Sequence, residues 1–386
     1  MLHNTKIKRD ASPFFAFDHL VPNRSFDLRK NKERKIHGEI QMKKKIGLQS
    51  FSLPSRPRIV SAASFVGPKE GEGPLGGRFD VVLKDDTLGL DSFEQAETRM
   101  LESAVRLSLS KIGKDPSDID FFMGGDLLSQ IISAGFAARE LRSPFIGMYG
   151  ACSTMAESLV TAAMLTDGGF SSLAVCGASS HFSSSEREFR YPLEMGTQST
   201  PTSQRTVTGA GAVTVASSDL KLEEPFFRSI VITGGTVGRV CDYGITDASN
   251  MGAAMAPAAA STICAHFSDN GAAPDRFDRI ITGDLGSFGS ELLYELCRSK
   301  GYDVSRVHSD CGMMIFSREQ KTVCGGSGCG CCASVLAAEL LPMLEEGEWS
   351  RILFVATGAL LSPLSSLQGE SIPSIAHAIV IERSVP

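Results

Sequence analysis

The sequence predicts an α/β protein made of two similar halves that share one core, and three observations lead there. Residues 121–165, FFMGGDLLSQIISAGFAARELRSPFIGMYGACSTMAESLVTAAML, read as a buried strand, a helix, a second strand, and a cysteine that opens a long helix. The same series returns later in the chain. Residues 277–284 (FDRIITGD) echo 119–126 (IDFFMGGD), 326–341 (GSGCGCCASVLAAELL) echo 150–165, and 349–358 (WSRILFVATG) echo 170–179 (FSSLAVCGAS). The offsets drift only from 158 to 176 to 179, as an internal duplication requires. Lastly, each half alternates strand and helix around a glycine-rich turn, a pattern that builds a mainly parallel sheet with helices on its faces.

Taken in order, residues 1–41 stand apart. FFAF and scattered prolines mix with basic clusters such as NKERK, and no period of 3.6 or 2 persists. Residues 1–46 hold 12 Lys and Arg against 5 acids, a net of +7, and the remaining 26 against 39 give −13. A basic tail suits anionic lipid or nucleic acid, but the expectation for 1–41 is a disordered extension or a start placed too far upstream, with Met42 opening the folded part. The two halves are expected at 42–227 and 228–386. An acidic body argues against broad contact with nucleic acid, whose affinity rests on Lys and Arg at phosphates.

In the first half, Gly150 and Ala151 permit a sharp turn before Cys152, and Ser153 and Thr154 are placed to cap a helix over 155–165. A thiol there faces free N–H groups and the positive end of the helix dipole, which favours its thiolate. The alternative is a small buried residue in a tight turn. A strand over 170–179 follows, and then residues 182–208, rich in Ser, Glu, Arg, Pro and Gly, read as a loop before a strand at 211–216. In the second half, the uncharged stretch 248–268 is mostly Gly, Ala, Ser and Asn around Pro257, too weakly apolar for a membrane span. No apolar run with a small-residue cleavage site occurs near the N-terminus, so secretion is not indicated. The ten cysteines are therefore expected as reduced thiols. The cluster Cys324, Cys329, Cys331, Cys332 lacks the paired spacing of common zinc sites and sits in a glycine-rich turn, so it reads as small packing residues where two helix ends meet, not as a metal site. Gly209 and Gly211 lack dinucleotide-binding spacing, and no cofactor is expected.

Two halves with a cysteine-headed helix in the first and a glycine-rich turn at the matching place in the second resemble the thiolase fold, layered αβαβα. The match is closer still to the stage V sporulation protein AD family of spore-forming bacteria. It runs from about Gly47 to Glu382 and is carried by GPKEGEGPLGGRFD (67–80), GDLLSQ (125–130), GACSTMAES (150–158), SSHFSSSEREFRYP (179–192), TVTGAGAV (206–213), TVGRVCDYGITDASNMGAAMAPAAA (236–260), CGGSGCGCCA (324–333), ATGALLSP (356–363) and IPSIAHAIVIER (372–383).

Condensing enzymes of this fold pair the helix-opening cysteine with a His and with a second His or Asn from the second half, which generate the thiolate and hold the oxyanion. Here the His-bearing turn corresponds to 282–284, where Asp284 stands, and the Asn-bearing turn to 325–328, where Ser327 stands. A carboxylate there raises the pKa of Cys152 and opposes the thiolate. The expected pocket is lined by Cys152, Asp126, His181, Arg190, Asp284, Ser327 and His377. Arg190 offers a fork for a carboxylate or serves as a structural partner. His181 ends a small-residue strand, His377 either replaces the missing imidazole or is a hydrogen-bonded core histidine, and Lys69 is a further cation or a solvated surface residue.

The resemblance implies a non-catalytic small-molecule-binding protein of the spore. Its implied ligand is dipicolinic acid or its calcium chelate, bound during uptake in sporulation and release in germination. It also implies a soluble protein of the developing forespore and spore, held at the spore inner membrane by other stage V sporulation membrane proteins, and a homodimer. The competing reading is an acyltransferase or condensing enzyme that uses Cys152.

Overall fold

The computed structural model describes residues 44–189 and 199–384, with the short antiparallel strands Lys35–Ile36 and Glu39–Ile40. The chain divides into two compact units, Met1–Met42 and Lys43–Pro386. Apart from that strand pair, the expectation for residues 1–41 lies outside the described residues. So do Arg190 and Tyr191.

In the larger unit the first half runs β1 (Arg58–Val66), α1 (Phe93–Ser110), β2 (Phe121–Gly125), α2 (Ile132–Leu141), β3 (Phe145–Gly147), α3 (Thr154–Asp167), β4 (Leu173–Ser180), α4 (Phe182–Phe189) and β5 (Gly209–Ala216). The second runs β6 (Ile230–Thr236), α5 (Met251–Asn270), β7 (Arg279–Thr282), α6 (Gly286–Ser299), β8 (His308–Asp310), α7 (Cys329–Val335), β9 (Arg351–Ala359) and β10 (Ser374–Arg383). The strand orders are β3-β2-β4-β5-β1 and β8-β7-β9-β10-β6. In both, the first three strands pair in parallel and the last two join antiparallel, so the duplication in sequence is a duplication in topology. One bridge, Val231 opposite Arg58, links the two sheets.

Burial explains why these segments take these forms. All eight residues of β4 and eight of the nine in β9 are buried, the signature of sheet strands covered on both faces. α1 is amphipathic: Met100, Leu101, Ala104, Val105 and Leu109 face inward, and the Ser92 side chain caps it by accepting from the Gln95 N–H at 3.2 Å. α1 and α2 cover the outer face of the first sheet, and α5 and α6 that of the second. α3 and α7 lie between the sheets, where their side chains join the inner faces of both in the central core. Glycines make this middle layer possible. A Cβ on Gly211 of β5 would sit 2.2 Å from the Ala333 carbonyl of α7, and one on Gly330 would sit 2.2 Å from the Gly209 carbonyl. α5 is twenty residues long, but it is built of Ala, Gly and Ser, and among the described residues no helix is long and apolar enough to cross a membrane.

One expectation fails. Residues 182–189, read as loop, form α4, because the polar residues that suggest a turn are used inside the fold. The Ser184 hydroxyl donates to Glu97 Oε2 at 3.0 Å, and the Ser185 N–H donates to the His181 carbonyl at 3.1 Å. Beyond it, Arg205–Thr206 pairs in parallel with Gly326–Ser327, which ties this excursion to the glycine-rich turn of the second half.

Candidate functional site

The turn between β3 and α3 is built around a strained residue. Ala151 has φ +49°, the left-handed region that costs a non-glycine residue about 1–3 kcal/mol. The Ser153 hydroxyl donates to the Gly150 carbonyl at 2.7 Å. The Thr154 hydroxyl donates to the Ala151 carbonyl at 2.7 Å and accepts from the Gly150 N–H at 3.2 Å. These hydroxyls therefore brace the turn instead of capping α3, as the sequence suggests. Gly358 of β9 closes on the same turn, where a Cβ would come within 2.1 Å of the Gly150 carbonyl. Cys152 is thereby held at the head of α3, facing the second half.

Opposite it stands Asp284, just past β7. Its Oδ1 accepts from the Thr357 hydroxyl at 2.7 Å, and its Oδ2 accepts from the Ser327 hydroxyl at 3.0 Å and the Gly328 N–H at 2.9 Å. The Cys152 thiol stands beside the same carboxyl, close enough for the two groups to shift each other's titration. Burial, with the Asp284 charge behind it, pushes the Cys152 thiol well above its ordinary value. The dipole of α3 favours the opposite, but desolvation and an adjacent anion outweigh it. Cys152 is thus a protonated thiol, and no imidazole stands beside it among the partners described.

The thiol opens onto a cavity of about 60 Å³, several times the ~10–15 Å³ that one water needs. Leu127, Tyr149, Phe189, Met251, Met255 and Leu361 form its apolar wall, and Ser185, Glu186, Thr206 and Ser327 its polar one. Arg205 stands behind Thr206 with its guanidinium 3.7 Å over the Phe182 ring, within electrostatic reach of Glu186.

Of the candidates from sequence, Cys152 and Ser327 line this cavity and Asp284 lies beneath both. Asp126, His181, His377 and Lys69 are elsewhere, and each has a structural task. Asp126 accepts from the Leu128 N–H at 2.8 Å and the Ala134 N–H at 2.7 Å, holding the turn from β2 into α2. Its counterpart by the repeat is Asp284, but in the second half Asp310 holds the equivalent turn, accepting from the N–H groups of Leu285 (2.8 Å) and Gly286 (3.0 Å). That substitution frees Asp284 to face Cys152. His181 is buried against Phe93, with Nε2 2.9 Å from the Asp86 carbonyl and Nδ1 accepting from the Ser183 N–H at 3.1 Å. This arrangement makes it the neutral Nε2–H tautomer, and burial lowers its pKa. His377 sits on β10, accepts from the Gly238 N–H at 3.2 Å, and is pushed down to about 4 by burial, as a hydrogen-bonded core histidine is. Lys69 reaches the Gln320 carbonyl at 3.3 Å, and the Gln320 amide donates back to the Lys69 carbonyl at 2.6 Å. Arg190 is outside the described residues.

Sequence reasoning missed the walls. Ser185, Glu186 and Phe189 come from α4, whose helical phase is invisible once it is read as loop. Met251 and Met255 are four apart on α5 and so share a face, a signal that was available but gave no direction. The clustered thiols diverge: Cys324 donates to the Pro201 carbonyl (3.3 Å), Cys329 to Ala151 (3.0 Å), Cys331 to Gly283 (3.7 Å) and Cys332 to Cys152 (3.5 Å).

Comparison with known proteins bears on the fold and the family. The fold is similar to that of an OleA variant from Xanthomonas campestris bound to cerulenin, with TM-score 0.57 and 16% identity over 86% of this chain and 97% of that one. It is also similar to human mitochondrial 3-ketoacyl-CoA thiolase in complex with CoA, with TM-score 0.52 and 15% identity over 86% and 99%. The fold is thus thiolase-like. Stage V sporulation protein AD of Bacillus subtilis (strain 168) is 43% identical over 338 residues, 88% of this chain and 98% of that protein. The family model for stage V sporulation protein AD matches residues 47–382. The chain therefore belongs to the stage V sporulation protein AD family.

Proposed function

We propose that this sporulation protein binds a small molecule without turning it over, and that the ligand is dipicolinic acid or its calcium chelate. The observation that carries the reading is the placing of Asp284 beside Cys152, where a condensing enzyme needs a base. A protonated thiol with no imidazole is a poor nucleophile. The cavity beside it suits a flat aromatic acid: Tyr149, Phe189, Met251 and Met255 cover a ring, and the hydroxyls of Ser185 and Thr206 donate to carboxylates. Glu186 in the same wall repels a free dianion, and calcium carried with the ligand offsets that repulsion through oxygen ligands. On this reading the protein acts in uptake during sporulation and release on germination, as a homodimer held at the spore inner membrane by stage V sporulation membrane proteins.

Isothermal titration with dipicolinate, with and without calcium and with benzoate as control, tests the ligand. Binding is expected for dipicolinate, tighter with calcium, and absent for benzoate. Ala359→Phe places a ring in the cavity and is expected to weaken binding roughly tenfold or more, at about 1.4 kcal/mol per factor of ten. Equal heats for the two acids would remove dipicolinate from the proposal.

The acyltransferase reading is kept by one feature, a cysteine at the head of α3 in a thiolase-like fold. Incubation with acetyl and malonyl thioesters followed by intact mass measurement is expected to show neither acyl-enzyme nor product. Turnover that disappears in Cys152→Ala would establish the enzyme instead.

A further inference from the structure

Away from the cavity, α5 and α6 pack with their backbones in contact. A Cβ on Gly289 of α6 would lie 2.8 Å from Gly252 Cα of α5. Farther along the same pair of helices, the sulfurs of Cys264 (α5) and Cys297 (α6) are 4.0 Å apart, at thiol–thiol hydrogen-bonding distance. Cys264 is partly exposed and Cys297 is buried. Of the ten cysteines only Cys241 is also partly exposed, and its thiol faces a carbonyl of its own loop, that of Arg239, at 3.6 Å.

We propose that Cys264 and Cys297 are a redox pair which hydrogen peroxide closes to a disulfide between α5 and α6. Cys264 is the attacking sulfur because it is the member of the pair with solvent access. The Cys297 hydrogen bond and the Lys300 charge lower its pKa, as a peroxide-reactive thiol requires. Its thiolate attacks peroxide: an S–O bond forms, the O–O bond breaks, and hydroxide leaves. The Cys297 sulfur then attacks the sulfenic sulfur. An S–S bond forms, the S–O bond breaks, and the departing hydroxide leaves as water with the Cys297 proton. In sum, two thiols and one peroxide yield one disulfide and two waters. Closing from 4.0 Å to the ~2.05 Å of a disulfide is a movement of about 2 Å between the two sulfurs.

The test uses the full chain, treated with hydrogen peroxide, blocked with iodoacetamide, digested and analysed by mass spectrometry. The expected product is a peptide holding Cys264 linked to one holding Cys297, two hydrogens lighter than the separate pair and released by dithiothreitol. In Cys297→Ser, which keeps the volume, and Cys297→Ala, which keeps the apolar surroundings, dimedone is expected to trap a sulfenic acid at Cys264. Oxidation of wild-type Cys264 without the linked peptide overturns the pairing. Oxidation of Cys241 as fast as Cys264 overturns the claim that the site is activated.

Discussion

Asp284→Ala is expected to lower the unfolding free energy by about 4 kcal/mol and to abolish ligand binding at the cavity. Three donors converge on this carboxyl from two separate segments, Ser327 with Gly328 and Thr357, and the Cys152 thiol of the first half stands beside it. Each buried donor left unpaired costs roughly 1–3 kcal/mol. Hydroxyls can rotate toward other acceptors, but the Gly328 N–H cannot. Removing a buried carboxyl whose pKa burial has raised recovers part of the loss, so the three contributions do not simply add. Asp284→Asn should fall between wild type and Asp284→Ala, because its amide accepts at one oxygen and turns an NH₂ toward donors at the other. Ser327→Ala removes one donor and leaves the carboxyl two, and about 1 kcal/mol is expected. Urea denaturation of the three variants is the measurement. Equal losses in Asp284→Ala and Ser327→Ala would mean that Asp284 is not the joint between the halves.

The sheet order and the middle helices were legible because they rest on features local sequence carries. β2, β4, β7 and β9 are short apolar runs, as parallel strands covered on both faces must be, and the turns into α3 and α7 announce themselves with Gly, Ala, Ser and Cys. α4 was illegible for the converse reason. Ser184 serves the fold by donating to a buried acid from α1, and nothing in FSSSEREF states that Glu97 waits across the gap.

The same distinction divides the site. Cys152, Asp284 and Ser327 could be placed together because the resemblance to condensing enzymes of this fold matches their turns to that site. Asp126, His181 and His377 could not be ruled out, since sequence displays a polar side chain but not the N–H that occupies it. The sharpest instance is the pair Asp126 and Asp284, equivalent in the repeat and opposite in role. What separates them is Asp310, which takes over the turn-holding task in the second half, and no pattern around Asp284 itself reveals that.

Glu70→Gln should stabilise the protein at about pH 8, by up to roughly 3 kcal/mol, and change it little near pH 5. Glu70 is buried in the short helix Pro68–Gly71, where its Oε1 accepts from the Thr208 N–H at 3.1 Å. Burial pushes its carboxyl from an ordinary 4.5 up to about 7, against the pull of that hydrogen bond and of Arg205. In the unfolded chain the group titrates near its ordinary value. Below that value both states are protonated and nothing is lost. As pH rises from about 4.5 to 7 the unfolded chain gives up its proton while the folded one keeps it, so stability falls by about 1.4 kcal/mol per unit. Above about 7 the full penalty is present. Asp126 and Asp310, each raised to about 6 by burial, add slope of the same sign. A neutral amide keeps the acceptor for Thr208 and carries no ionisation penalty, although Arg205 gives up a neighbouring charge, which trims the gain. Urea denaturation of wild type and Glu70→Gln at the two pH values decides the matter. A difference between the two proteins that is the same at both would show that Glu70 holds no proton in the folded state.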